Sequence, residues 1–266
     1  MHVILGKRCI SCGKCQDNCP EKNTIREGND YFYIEVSTCL NCGQCKSVCP
    51  VEAIVEADSE FIIDEEISPK YYEKKTVFFK KAGKKNTLKV LELAKERALE
   101  LNIRDVVLPT TTGKSALDAI EYFGNDFNVV VIPCMYGRFK PGENTLNPQY
   151  EKKLREIGVP LIFAPYFFSG VDRAIFRKWG GMSSTLIVRQ TLKLFGEGVK
   201  VCVEVSIVGA DAGVIPIDRE VIALGGTIRG FDTAMVIHPT HSLSFFDIGL
   251  REIICMPRQR IPWQSM

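Results

Sequence analysis

Eight cysteines in the first 50 residues stand in two runs of identical spacing. Cys9, Cys12, Cys15 and Cys19 are followed by Pro20, and Cys39, Cys42, Cys45 and Cys49 by Pro50. Each run reads C-x2-C-x2-C-x3-C-P, and the second repeats the first 30 residues on. A cysteine at every third position lets one tight loop aim three thiolates at a soft cluster. The fourth must come from elsewhere, and in the two-cluster arrangement each run lends its last cysteine to the other cluster. One iron–sulfur cluster is thus expected on Cys9, Cys12, Cys15 and Cys49, and a second on Cys39, Cys42, Cys45 and Cys19. Zinc is a weaker reading, because its C-x2-4-C pairs are parted by a longer spacer and a tetrahedron needs no third cysteine so close. Disulfides would need an oxidising compartment, and the apolar run within Met1–Lys7 is too short for a signal peptide. Cys134, Cys202 and Cys255 lie scattered among apolar neighbours and read as small buried hydrophobes.

The stretch from roughly residue 3 to residue 56 resembles the bacterial ferredoxin with two [4Fe–4S] clusters. Around the cysteines, Thr24–Glu27, Gly28-Asn29-Asp30 and Tyr31–Val36 read as strand, turn and strand, while Ala53–Glu56 and Phe61–Ile63 suggest a matching hairpin. Such a module has almost no apolar core of its own, so metal binding supplies its folding energy and the apo form should be unstructured. Residues 1–60 are read as this two-cluster α+β ferredoxin domain. Residues 61–73, acidic and interrupted by Pro69, are read as a linker.

The 266 residues leave room for one medium domain beyond it, residues 74–266. No apolar stretch approaches the roughly 18 residues of a membrane span. With 34 basic and 32 acidic side chains, the chain shows no charge bias toward nucleic acid or an anionic membrane. Cluster-type cysteines imply a reducing cytoplasm and an anaerobic or low-oxygen setting. Lys80-Lys81-Ala82-Gly83-Lys84-Lys85 reads as a solvated turn.

Helix and strand patterns then alternate. Asn86-Thr87 starts a helix with Leu88, Leu91, Ala94, Ala98 and Leu101 at helical spacing. Val106–Leu108, a helix near 115–122, Val129–Ile132, a helix ending near Ile157, and Val159–Phe163 follow. Helices over about 183–195 and 199–211 precede strands at Val221–Leu224 and Thr233–Ile237. Continuous apolar strands between helices predict a mostly parallel sheet buried on both faces, an open α/β domain with its ligand beyond the strand carboxyl ends.

Two loops at those ends carry ligand chemistry. Thr110-Thr111-Thr112-Gly113-Lys114-Ser115 offers hydroxyls and free amides where a helix begins, a natural phosphate site. Leu108 stands where a P-loop needs its first glycine, and an ordinary capped helix start remains the plain alternative. Gly225-Gly226-Thr227-Ile228-Arg229-Gly230-Phe231-Asp232 lacks dinucleotide spacing, and a tight β–β turn accounts for the glycines alone. Glu204, on a predicted helix, suits either an ion pair or a proton donor. His238 and His241 lack companion metal ligands and read as turn residues.

Residues 75–258 resemble the C-terminal α/β domain of pyruvate kinase, and more closely a family of small proteins built from that domain alone. The resemblance runs through Gly83–Thr87, Thr112–Ser115, Ser169–Arg173, Trp179–Gly181, Gly198–Glu204, Asp211–Pro216 and Ile222–Thr227. Pyruvate kinase activity is not implied, because the catalytic barrel is absent. The stand-alone proteins look like FMN binders, which implies FMN here. Its phosphate would lie on Thr110–Ser115, with Tyr136, Gly137, Gly226, Thr227, Gly230 and Asp232 at its ring and edge. Tyr136, Tyr166 and Trp179 are ring-stacking candidates that would serve equally as core. Cys134-Met135 and Tyr166 stand where relatives tend to carry histidines, so any proton transfer by those groups is not carried over.

The expected protein is an iron–sulfur flavoprotein, a probable oxidoreductase without an assignable catalytic acid or base. Clusters pass single electrons and a flavin one or two, so the fusion would couple a one-electron carrier to a two-electron substrate. Its expected partners are a ferredoxin or another oxidoreductase and a small-molecule acceptor, with a homo-oligomer also open to it. The rival expectation is a non-enzymatic carrier or redox sensor whose α/β domain binds a phosphorylated metabolite or a protein.

Overall fold

Contacts in the computed structural model divide the chain into two units, residues 1–74 and 75–266. It describes residues 2–6, 8–28, 31–35, 37–56, 73–168 and 170–259.

The first unit is a short pattern used twice: β1 (His2–Ile4), α1 (Lys14–Asp17) and β2 (Ile25–Glu27), then β3 (Phe32–Ile34), α2 (Gln44–Ser47) and β4 (Ile54–Glu56). Strands pair across the repeat, β1 with β4 and β2 with β3, both antiparallel. The β2–β3 hairpin is the one read around Gly28. β4 pairs along one edge with the buried run His2-Val3-Ile4, with His2 opposite Glu56 and Ile4 opposite Ile54. The strand expected at Phe61–Ile63 and residues 61–72 of the expected linker lie outside the described residues. Ile4, Ile25, Phe32, Ala53 and Ile54 pack with Cys15 and Cys45 into a core of seven buried residues. Both cysteine loops bend through the left-handed region at matching places, Ser11 and Gly13 (φ 51° and 75°) and Asn41 and Gly43 (φ 54° and 76°).

The second unit contains β5 (Val77–Phe79), α3 (Thr87–Glu100), β6 (Asp105–Thr110), α4 (Lys114–Phe123), β7 (Asn128–Pro133), α5 (Pro148–Ile157), α6 (Gly170–Trp179), α7 (Ser184–Leu192), α8 (Glu197–Asp211), β8 (Val221–Gly225), β9 (Thr233–His238) and β10 (Gly249–Pro257). The six strands form one sheet in the order β5-β10-β9-β8-β6-β7. It is mostly parallel, with β9 alone reversed against β8 and β10. This is an α/β domain.

Strand alternation splits its core in two. Val106, Leu108, Val129, Val131, Ile222 and Leu224 face α3, α4 and α5. Val107, Val130, Ile132, Val221 and Ala223 face α8, which is buried along nearly its whole length. Leu88, counted at helical spacing, is 70% exposed, and Val90 takes the inward place beside Leu91. The strand expected over Val159–Phe163 is a single bridge, Val131 with Leu161. Pro160 there has no amide to extend the ladder. β5, α6 and β10 are elements for which the sequence raised no expectation. The glycine segment joins β8 to β9 as an antiparallel hairpin, but through the longer loop 226–232 and not the tight turn expected, with Gly225 opposite Thr233.

Candidate functional site

In the first unit the eight cysteines stand around two cavities. One is lined by Cys9, Cys12, Cys15 and Cys49 together with Ile4, Phe32, Val51 and Ile54. The other is lined by Cys19, Cys39, Cys42 and Cys45 together with His2, Thr24, Ile25 and Ile34. Each takes three thiols from one run and its fourth from the other, as the strands also pair across the repeat. Cys15 and Cys45, each at the start of a short helix, are buried, whereas Cys12 and Cys42 are exposed. Burial pushes the Cys15 thiol up to about 11 and raises that of Cys45 as well. A thiolate there needs a cationic partner, which iron supplies. Backbone amides already face sulfur: Asn41 N–H donates to Cys39 Sγ (3.4 Å) and Ala53 N–H to Cys49 Sγ (3.2 Å).

The two cavities differ in one wall. Phe32 packs beside Gly13 in the first, and His2, 30 residues earlier, occupies the matching place beside Gly43 in the second. His2 is buried, its Nδ1 has no hydrogen-bond partner among the described residues, and its Nε2 lies 3.9 Å from Glu56.

Residues 7–64 match the family model of the 4Fe-4S dicluster domain. The first unit is a ferredoxin-like module. Its role is iron–sulfur electron transfer.

In the second unit the carboxyl ends of the parallel strands β6, β7 and β8 lie on one edge, and both loops singled out in the sequence leave that edge. Thr110 ends β6 and Lys114 begins α4. Thr110 Oγ1 accepts from Gly113 N–H (3.0 Å), fixing the turn that Gly113 makes at φ 98°. The segment after β7 covers this turn. Thr145 Oγ1 donates to Thr111 O (2.7 Å), Asn147 N–H donates to Thr112 O (3.0 Å), and a Cβ on Gly113 would stand 2.7 Å from that of Tyr150. Lys114 is exposed and pairs with Asp118.

The β8–β9 loop packs instead on the start of α3. Asp232, fully buried, accepts from Gly83 N–H (2.8 Å), Thr227 N–H (3.1 Å) and Thr233 Oγ1 (3.0 Å). Thr87 Oγ1 takes the Phe231 amide (3.0 Å), and Gly230 sits directly against Lys84 and Thr87. A Cβ on Gly226 would meet Gly230 O at 2.1 Å. The Asp232 carboxylate is therefore an internal clamp, tying the loop to the segment before α3. The Gly137 amide is likewise given to Glu143 O (3.0 Å).

Beyond β7 the structure gathers an aromatic group. Tyr136, 53% exposed, packs on Phe163 with ring centroids 5.4 Å apart. The Tyr166 hydroxyl is pushed up by burial and by the Cys134 thiol as hydrogen-bond partner, so Cys134 and Tyr166 are neighbours. The Arg138 guanidinium lies over the Tyr166 ring at 5.1 Å. Trp179 is exposed at the end of α6. Glu204 forms an ion pair with Lys200 (2.8 Å) and accepts from the Phe168 amide (3.1 Å), inside α8's buried face. His241 faces Asp211 at 3.5 Å. Cys202 and Cys255 are buried, and burial raises both thiols, that of Cys255 to about 12.

Sequence reading missed Arg173, Arg177 and Arg189 on α6 and α7. The available signal was Arg173 and Arg177 four apart on one helical face, with no acid at the same spacing to pair them.

Proposed function

We propose that this chain moves electrons between two [4Fe–4S] clusters in its ferredoxin-like module and an FMN in an α/β domain built like the C-terminal domain of pyruvate kinase. The observation that carries it is the pair of cavities, each edged by four cysteines drawn from both runs. Cys9, Cys12, Cys15 and Cys49 would hold one cluster, and Cys39, Cys42, Cys45 and Cys19 the other. When bound, the clusters exchange single electrons and FMN exchanges one or two. The chain's part is to hold the thiols apart around a space, with two of the sulfurs already accepting amide hydrogen bonds.

For FMN, the turn that Thr110 fixes leads into α4, whose first amides would join the hydroxyls of Thr111, Thr112 and Ser115 in holding a phosphate. The half-exposed Tyr136 on Phe163 offers a wall for a ring system. Thr227 and the Gly226 and Gly230 backbones would stand at its edge, while Asp232 acts through the loop that it clamps. On this reading the cytoplasmic partners are a ferredoxin or another oxidoreductase and a two-electron acceptor. The commitment of Asp232 and Gly137 within the fold favours a second reading, an electron carrier or sensor whose α/β domain binds a phosphorylated metabolite and no flavin.

Anaerobic purification separates them. About eight iron and eight sulfide per chain are expected, with FMN released on denaturation. Zinc without sulfide would overturn the cluster assignment. A spectrum and melting temperature unchanged by added FMN would overturn the flavin half and leave the second reading.

A further inference from the structure

Helices α6 and α7 flank an open cavity of about 320 Å³ that belongs to neither loop of the carboxyl edge. Arg173, Arg177, Arg189 and Lys193 line it together with Gln190 and the apolar Phe176, Met182 and Leu186. No carboxylate lines it. Lys193 pairs with Glu197, and Asp172, the acid beside Arg173, accepts a hydrogen bond from Thr185. The three arginines make no ion pair with any described residue. Arg189 Nε is buried without an acceptor among the described residues, a state that costs free energy unless a ligand completes it. Burial, then the like charges of Arg177, Arg138 and Arg189, makes the Arg173 guanidinium less willing to hold its proton. Arg177 is exposed, whereas Arg173 and Arg189 are half-buried beside the void and partly stripped of water.

We propose that the α6–α7 cavity binds a phosphorylated small molecule. Planar guanidinium forks match phosphate oxygens in pairs, and several around one void favour a multiply charged anion over a single carboxylate. The size suits a small organic ligand, and Phe176, Met182 and Leu186 give its uncharged part a wall. The unit's balance has the same sign, with 26 basic against 19 acidic side chains over residues 75–266. The site is distinct from the flavin phosphate loop and stands whether or not FMN is bound there.

The test titrates AMP and pyrophosphate into the full-length, cluster-loaded protein, with and without saturating FMN, by calorimetry and thermal shift. Both probes are expected to bind at one site per chain, raise the melting temperature, and weaken as salt is added. Arg189→Gln and Arg173→Gln should each lower affinity by about tenfold or more, as loss of a charge-assisted contact does. Because removing a like charge relieves repulsion, neither variant should melt lower than the parent without ligand. Failure of both probes to bind at about 10 mM, a weak limit for a specific site, would overturn the proposal. So would binding that is equal in the variants. If FMN displaces AMP at that site and Arg189→Gln releases FMN, the cavity is the flavin's own and the second site is refuted.

Discussion

The two units solve the problem of a core in opposite ways. The ferredoxin-like module packs a core cluster of only seven buried residues, two of them cysteines, around spaces that its own side chains do not fill. The α/β domain covers both faces of a six-stranded sheet with apolar side chains from α3, α4, α5 and α8. In the first, stability and chemistry depend on the same atoms. In the second they are separate, so residues at the sheet's carboxyl edge can change while the core stands.

Iron removal is the strongest way to break the comparison. Anaerobic chelation, or Cys15→Ser with Cys45→Ser, should abolish protection of residues 2–56 in hydrogen exchange, while residues 75–259 keep theirs. Protection of β1–β4 that survives without iron would mean that the small core suffices.

Next comes the converse. Phe123, the buried last residue of α4, packs against Phe127 (ring centroids 5.1 Å apart) and should cost the α/β domain about 3–5 kcal/mol as Phe123→Ala. Denaturant unfolding would read this, with iron content per chain unchanged.

Gly113→Ala should cost the α/β domain about 1–3 kcal/mol, because an L side chain is strained at φ 98° and Tyr150 must shift. Its melting temperature should fall while the cluster absorbance holds. An unchanged melt would show that the loop relaxes freely.

The smallest effect belongs to His2→Phe, which would give the second cavity the wall that Phe32 gives the first. Replacing a buried ring nitrogen that lacks a partner should leave the clustered module as stable or up to about 1 kcal/mol more so. Loss of iron from this variant would show that the imidazole holds the cluster site together.

The cysteine runs were legible because their spacing is set by the object they surround, and the strand faces because period two is written into Val106–Leu108 and Val129–Ile132. β1 was not legible. Three residues carry no period, and His2-Val3-Ile4 becomes a strand only because β4 lies alongside. The reach of Asp232 was hidden for a related reason, since its partners Gly83 and Thr227 meet only once β9 folds back on β8. Apolar residues such as Trp179 and Ile187 stay exposed on α6 and α7, so hydrophobic spacing there gives no inward face to read. The arginine cavity depends on how those two helices meet, which no local pattern encodes.

The first and last strands of the α/β domain are hydrogen-bonded neighbours, Val77 beside Cys255 and Phe79 beside Pro257, at the rim of the sheet. The two strands run in the same direction, so the start of β5 at Val77 and the end of β10 at Pro257 lie at opposite ends of one short paired stretch. A circular permutant, reopened in the exposed turn around Gly124 with the old ends tied by a short glycine linker, should keep this sheet.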